Sequence, residues 1–249
     1  MPPPLLLFGA GLLAGTMNAL AGGGSFVMLP ALIAVGVPSV QANASSTVAL
    51  WPGSAASVWI YHPGMRPLCG VAARPMLAVT LAGGLAGSLF LLCTPSSAFD
   101  AVLPWLMLLA TMALIFGRRI GAALQGQLPR RTGLVLAAQF GLGVYGGYFG
   151  GAVGLMMVAV WSLLGESDIK GLNGPRTLLV TAANTVAVLT FVAAGAVRWP
   201  QTLIALAGGL LGGIAGARLG RVTPTGITRA MTICFTAGVT VVFFVRAHL

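Results

Sequence analysis

The chain has 249 residues and a net charge of +10, and it is 57% hydrophobic with only 6% charged residues. Soluble domains carry about 25% charged residues, so this composition, with a mean hydropathy of +0.98, excludes a water-soluble globule and indicates a polytopic membrane protein. Cys69, Cys93 and Cys234 are too widely spaced for a disulfide framework or a zinc motif, and His62 and His248 are too far apart for a metal or haem. With three acidic residues besides, the expectation is no enzyme, no metal and no cofactor.

The N-terminus, Met1-Pro2-Pro3-Pro4, lacks the basic region of a secretory signal, so no cleaved targeting peptide is expected. Apolar segments then follow at 5–36, 41–61, 74–93, 99–117, 133–164, 172–195, 200–217 and 229–245. A single crossing needs about 20 residues, so 5–36 and 133–164 are too long for one. Each is interrupted by glycines. The first break runs from Gly15 through Asn18 to Gly22-Gly23-Gly24-Ser25, and the second is Gly146-Gly147-Tyr148-Phe149-Gly150-Gly151-Ala152-Val153-Gly154. Glycine weakens a helix by about 1 kcal/mol relative to alanine, and lipid cannot satisfy the backbone groups a break frees. A matched pair of such breaks in two halves marks a transporter's binding site.

The breaks lie 129 residues apart, and further landmarks keep offsets of 129 to 131. Asn43-Ala44-Ser45-Ser46-Thr47 falls opposite Asn173-Gly174-Pro175-Arg176-Thr177, and Gly83 to Gly87 falls opposite Gly212 to Gly216. The chain therefore reads as a first repeat (5–117), a basic linker (118–132) and a second repeat (133–246). If each broken segment is a hairpin returning to its own face, eleven basic residues share one face and Arg198 and Arg246 the other; single crossings give eight against five. The positive-inside rule favours the hairpins, and the repeats are then inverted. The expected fold is all-α, two inverted repeats, each a glycine-broken hairpin plus three transmembrane helices. The hairpins are either re-entrant or two short full crossings, and the shortness of 26–36 favours the re-entrant form.

The few polar residues in the apolar segments cluster. Asn18 and Ser25 flank the first break, and Asn43, Ser45, Ser46 and Thr47 open the next helix. Asn173, Arg176 and Thr177 share a helical face at i, i+3, i+4, with Asn184 two turns on. Helices beginning at Ser25 and Gly154 aim free N–H groups and a positive dipole end at the breaks. Donors dominate and carboxylates are absent, which suits an oxyanion. The expected substrate-binding set is Asn18, Gly22, Gly23, Gly24, Ser25, Asn43, Ser45, Ser46, Gly150, Gly151, Gly154, Asn173, Arg176, Thr177 and Asn184. Plainer readings stand beside it: the hydroxyl residues and the Gly83–Gly87 and Gly212–Gly216 stripes as helix packing, Arg176 as a snorkelling anchor, and His62, Trp51, Trp59, Trp105, Trp161 and Trp199 as interfacial residues.

The order and duplication of Ala14-Gly15, Gly22 to Ser25, Leu29-Pro30, Gly36-Val37-Pro38, Ala42, Gly146 to Gly150, Gly174-Pro175-Arg176-Thr177, Asn184, Gly195 and Arg198-Trp199 resemble the sulfite exporter TauE/SafE family, also called toluene-sulfonate uptake permeases. The resemblance spans roughly 9 to 245. It implies a secondary transporter of sulfite, organosulfonates or related sulfur anions, without an attached ATPase, in the bacterial inner membrane with 118–132 cytoplasmic. Where the family often has Gly-Thr-x-Lys/Arg, this chain has Gly174-Pro175-Arg176, and Ala152 and Val153 dilute its second break. The partners expected are a small anion and the bilayer, not nucleic acid, and the glycine-rich faces leave room for a homodimer. The inside-negative potential supplies about 2.3 kcal/mol per charge per 100 mV, so export needs no coupling ion, whereas uptake of a dianion does. An anion channel and a non-transporting scaffold are the rival readings.

Overall fold

The computed structural model describes residues 3–20, 23–61, 67–123, 131–164, 166, 172–222 and 225–248. They form ten α-helices: α1 (Pro3–Leu20), α2 (Ser25–Ala34), α3 (Ser39–Tyr61), α4 (Ala73–Cys93), α5 (Ser96–Ala123), α6 (Thr132–Tyr148), α7 (Val153–Leu163), α8 (Asn173–Ala193), α9 (Trp199–Val222) and α10 (Thr225–His248). Among the described residues there is no strand, apart from an isolated bridge between Leu68 and Val71. Pro3–Leu20, Ala73–Cys93, Ser96–Gly117 and Gly174–Ala193 are long and apolar enough to cross a bilayer.

Each overlong apolar segment is two helices separated by its glycine break. The second helix is short in both cases, 10 residues in α2 and 11 in α7. At 1.5 Å per residue each is about 15–17 Å long, roughly half the hydrocarbon thickness. Helix α5 runs on to Ala123, so the basic segment that begins at 118 starts as helix. Its middle, 124–130, lies outside the described residues, as do Gly22, His62, Arg66 and Lys170.

Glycine decides which helices pair. A Cβ on Gly212 would overlap the Leu12 carbonyl, and one on Gly15 would overlap the Gly209 carbonyl. On the other side of the molecule, a Cβ on Gly87 would overlap the Val144 carbonyl, and one on Gly147 the Gly84 carbonyl. Helix α1 therefore lies backbone to backbone against α9, and α4 lies likewise against α6. In both pairs the contacts advance together along the chain (Phe8 with Gly208, Thr16 with Gly216; Phe140 with Gly83, Val144 with Gly87), so the partners run parallel. The Thr16 hydroxyl donates across the first seam to the Gly212 carbonyl at 3.0 Å. Hydrophobic burial does not drive association between helices in lipid, so such close packing carries the pairing. Gly83, Gly84, Gly87, Gly212 and Gly216 are thus packing contacts within one chain, while nothing lies within 4 Å of a Cβ added at Gly213.

Two further pairs run antiparallel. On α3 and α8, Trp51 bonds Thr185 while Ser54 accepts from Thr181 through its carbonyl. On α5 and α10, Thr111 meets Thr240 at 3.1 Å while Trp105 stacks edge-on against Phe244. Two apolar cores result. One gathers the starts of α4, α6 and α8 with the end of α7 (Met76, Val135, Leu179, Trp161), and the other gathers α2 with the starts of α3 and α5 and the end of α8 (Leu32, Val40, Phe99, Phe191). Leu89, Phe90, Leu203, Leu211 and Ile214 face outward, as lipid contact demands.

Trp199, at the start of α9, is exposed, in keeping with an interfacial position, whereas Trp105 is exposed midway along the Ser96–Gly117 span and so faces lipid at depth. Trp161 is buried: it is 1% exposed. Its indole donates to Gln139 Oε1 at 3.0 Å, and Gln139 Nε2 donates to Thr80 Oγ1 at 2.8 Å, a completed network across α7, α6 and α4. The half-buried Trp51 is likewise turned inward, donating to Thr185 Oγ1 at 2.9 Å. A buried indole needs an acceptor, and both find one on a neighbouring helix. The Trp59 side chain lies outside the described residues.

Gly87→Ala should cost about 1–3 kcal/mol by overpacking, read as a lower thermal midpoint of the purified protein in detergent. Gly141→Ala, where nothing lies within 4 Å of the added methyl, should leave the midpoint unchanged or raise it. Equal responses of the two variants would remove the glycine seams as the pairing determinant.

Candidate functional site

The two breaks are built differently. At the first, a Cβ on Gly24 would sit 2.6 Å from the Ala14 carbonyl and 3.0 Å from Asn18 Cβ, so the start of α2 can fold back against α1 because residue 24 has no side chain. The N–H groups of Phe26 and Val27 close the first turn onto the carbonyls of Gly23 and Gly24, both at 3.1 Å. At the second, the chain turns through two left-handed residues, Gly150 (φ +72°) and Ala152 (φ +56°). For alanine that conformation costs about 1–2 kcal/mol. Helix α7 begins at Val153, one residue before the expected Gly154, and its first turn closes on the Ala152 carbonyl through Leu155 and Met156.

The breaks meet. Phe26, at the start of α2, and Phe149, in the second break, are both buried and pack edge to face with ring centres 6.2 Å apart. Both breaks lie beside the middle of α3: the Cβ position of Gly24 is 3.2 Å from Leu50 Cδ1, and that of Gly150 is 3.6 Å from Thr47 Oγ1. Asn43 Nδ2 donates to the Tyr148 carbonyl at 2.8 Å, tying α3 to the last turn of α6. From the other side α8 covers the second break with one face. Arg176 Cγ and Cδ and Val180 Cγ2 lie against Gly154, at 3.2–3.3 Å from its Cβ position, and Asn184 Oδ1 lies 3.8 Å from that of Gly150.

Between the breaks runs a polar seam joining α1, α3 and α8. Asn18 Nδ2 donates to Ser54 Oγ at 3.4 Å, and Thr181 Oγ1 donates to the Ser54 carbonyl at 3.3 Å. Ser54, Trp51 and Thr181 are additions to the residues expected from sequence. The polar types were visible in the helices, but their common position depends on how α3 and α8 cross. Ser25 is half-buried at the head of α2, and Gly23 reaches α10, its Cβ position lying 3.3 Å from Thr232 Cγ2. Gly151 packs on the Phe149 ring, and Thr177 is half-buried one turn before Thr181. Asn173 opens α8, but its side chain lies outside the described residues.

Ser45 points away from this seam. Its Oγ accepts the Arg198 N–H at 3.0 Å, and Gln41 Oε1 accepts from Arg198 Nε at 2.6 Å, so this face of α3 holds the α8–α9 connection. Among the described acids, Glu166 accepts the Cys69 N–H at 3.2 Å and Asp100 lies near the start of α5; neither belongs to the seam. The lining is not donors alone. Asn43 Oδ1, Ser46 Oγ and Asn184 Oδ1 are buried acceptors without a protein partner.

The sequence pattern of the family described as "Sulfite exporter TauE/SafE" matches residues 7–243. The "Probable membrane transporter protein YfcA" of Escherichia coli (strain K12) is 28% identical over 224 residues, covering 88% of this chain and 82% of its own length. The "Probable membrane transporter protein ORF9" of Sinorhizobium sp is 28% identical over 219 residues, with 85% and 81% covered. A "Probable membrane transporter protein" of Haemophilus influenzae is 26% identical over 215 residues, with 86% and 84% covered. No solved structure matches the chain.

Asn43→Leu removes the donor to the buried Tyr148 carbonyl and should cost about 1–3 kcal/mol. The measurement is the thermal midpoint in detergent. An unchanged midpoint would mean that this bond does not hold the second break.

Proposed function

The chain belongs to the sulfite exporter TauE/SafE family of membrane transporters, and from that premise we propose that it is a secondary transporter that carries sulfite or a related sulfur oxyanion out of the cell. The observation that carries the reading is the meeting of the two breaks at Phe26 and Phe149, which sets two helix starts beside one polar seam in the middle of an apolar molecule. The first N–H groups of α7, those of Val153 and Gly154, have no intrahelical partner, and the heads of α2 and α7 bear the positive end of each helix dipole. The aliphatic stem of Arg176 lies against Gly154 at the head of α7. An anion held there would meet backbone donors, the Ser25 hydroxyl, the Asn18 amide and a guanidinium.

We further read the two halves as inverted repeats with re-entrant hairpins. The antiparallel course of α3 against α8 and of α5 against α10, equivalent helices in the two halves, supports the inversion. The shortness of α2 and α7 and their position beside the middle of α3 support re-entry. Alternating access then follows from movement of one repeat against the other. The membrane is the bacterial inner membrane, with the 118–132 segment on the cytoplasmic side, where the excess of arginine belongs.

Proteoliposomes loaded with labelled sulfite test the reading. The wild type should show saturable efflux accelerated by sulfite outside, and Arg176→Gln should lower it tenfold or more. That is the effect of losing a charge-assisted hydrogen bond of about 1.5–3 kcal/mol. Single-channel currents would favour a pore, and undiminished efflux in the variant would remove Arg176 from the site.

A further inference from the structure

The corner at Gly150 carries a second polarity that an anion does not use. Outside residues 149–151, the three heavy atoms nearest to the point where a Cβ would sit on Gly150 are all oxygens, and they come from three helices. They are the Gly146 carbonyl of α6 at 3.5 Å, Thr47 Oγ1 of α3 at 3.6 Å and Asn184 Oδ1 of α8 at 3.8 Å. Asn184 Oδ1 is buried without a partner. On the turn of α3 that bears Thr47, Asn43 Oδ1 and Ser46 Oγ are also unpartnered, and both residues are 1% exposed. Asn43 Nδ2 donates to the Tyr148 carbonyl, which fixes the orientation of its amide and leaves an oxygen, not a nitrogen, facing outward from that bond. Helix α6 ends here at Tyr148, so the carbonyl end of its dipole adds negative potential at the same place.

We propose that this corner, formed by Thr47 Oγ1, Asn184 Oδ1 and the Gly146 carbonyl, with the unpartnered Asn43 oxygen one turn before Thr47 on α3, binds a sodium ion. Hard cations take oxygen ligands, and divalent ones are held largely by carboxylates. Here every ligand is neutral, and the described acids Asp100 and Glu166 are engaged elsewhere or lie at a helix start. That matches a single positive charge. Unwound carbonyls and half-helix C-termini are the groups that hold coupling ions in broken-helix transporters, while half-helix N-termini hold anions. The second break divides in this way within a few residues: the end of α6 with its acceptors on one side, the start of α7 with Arg176 on the other. A side chain at residue 150 would project toward these oxygens, and glycine leaves that side of the corner uncovered. Binding of the cation stands on this geometry alone. The export proposed above needs no coupling ion, so the cation site is a claim separate from the anion site at α7.

The test is thermal melting of the purified protein in sodium, potassium or choline chloride at constant ionic strength, beside equilibrium binding of labelled sodium. Sodium should raise the midpoint saturably where choline and potassium do not, and Thr47→Val and Asn184→Leu should raise the half-saturating sodium concentration at least tenfold. Thr47→Ser, which keeps the hydroxyl, and Thr190→Val, near the far end of α8, should retain the response. Identical melting in all three salts, the result expected if water alone occupies the corner, would overturn the proposal. So would an equal effect of potassium, or a sodium response that survives in both the Thr47→Val and Asn184→Leu variants. Sulfite binding measured in sodium and in choline separates the two readings. Sodium dependence without sulfite binding leaves the cation site standing and removes the anion reading, while sulfite binding without any sodium effect does the reverse.

Discussion

The contact of backbone on backbone at the glycine seams is the constraint on which the rest of this molecule depends. Gly11 and Gly15 of α1 lie on α9, and Gly83 and Gly87 of α4 lie on α6, so close that a single methyl has no room at Gly15 or Gly87. In lipid, apolar side chains gain nothing by facing each other rather than the acyl chains, and close approach is what remains to select a partner. Both seams join helices from different halves of the chain. Because α1 and α6 are the helices that end in the breaks, the seams also determine where the breaks stand. Each hairpin is held in place by the fourth helix of the opposite half.

Held in this way, the breaks can leave backbone groups unpaired at mid-molecule, since those groups are buried against protein and not against lipid. The two are not copies. The first closes tightly, with Gly24 pressed on Ala14 and Asn18. The second is opened by Gly150 and by a left-handed Ala152, a conformation that alanine adopts only at a cost. Arg176 and Asn184, one face of α8, cover the second break, while Thr232 of α10 lies against the first. The halves therefore share an architecture but divide the chemistry unequally, with most of the polar side chains gathered at the second break.

Much of this was legible in the sequence because it depends on chain-local quantities. The length of the apolar segments and the glycine runs within them place the helices and the breaks to within a few residues, and the duplicated offset pairs the halves. What was not legible depends on a neighbour supplied by another helix. Trp161 reads as an interfacial tryptophan until Gln139 is seen to accept its N–H inside the core. Ser45 and Ser46 are indistinguishable as adjacent hydroxyls, yet the first is bound to the Arg198 backbone and the second is left without a partner. Ser54 and Thr181 carry no motif, and they come together because α3 and α8 cross at their middles. A donor-rich composition likewise hid the acceptors at Gly150, because an asparagine offers both and its neighbours decide which it presents.

The proposed anion site lies between the heads of the two short helices. A structure of the protein with bound selenite, a heavier analogue of sulfite, tests it most directly through the position of the selenium. Selenium density is expected at the starts of α2 and α7, within reach of Ser25, Gly154 and Arg176. Density at the arginine-bearing ends of α5 (Arg118, Arg119) and α9 (Arg218, Arg221), with none at the breaks, would contradict it.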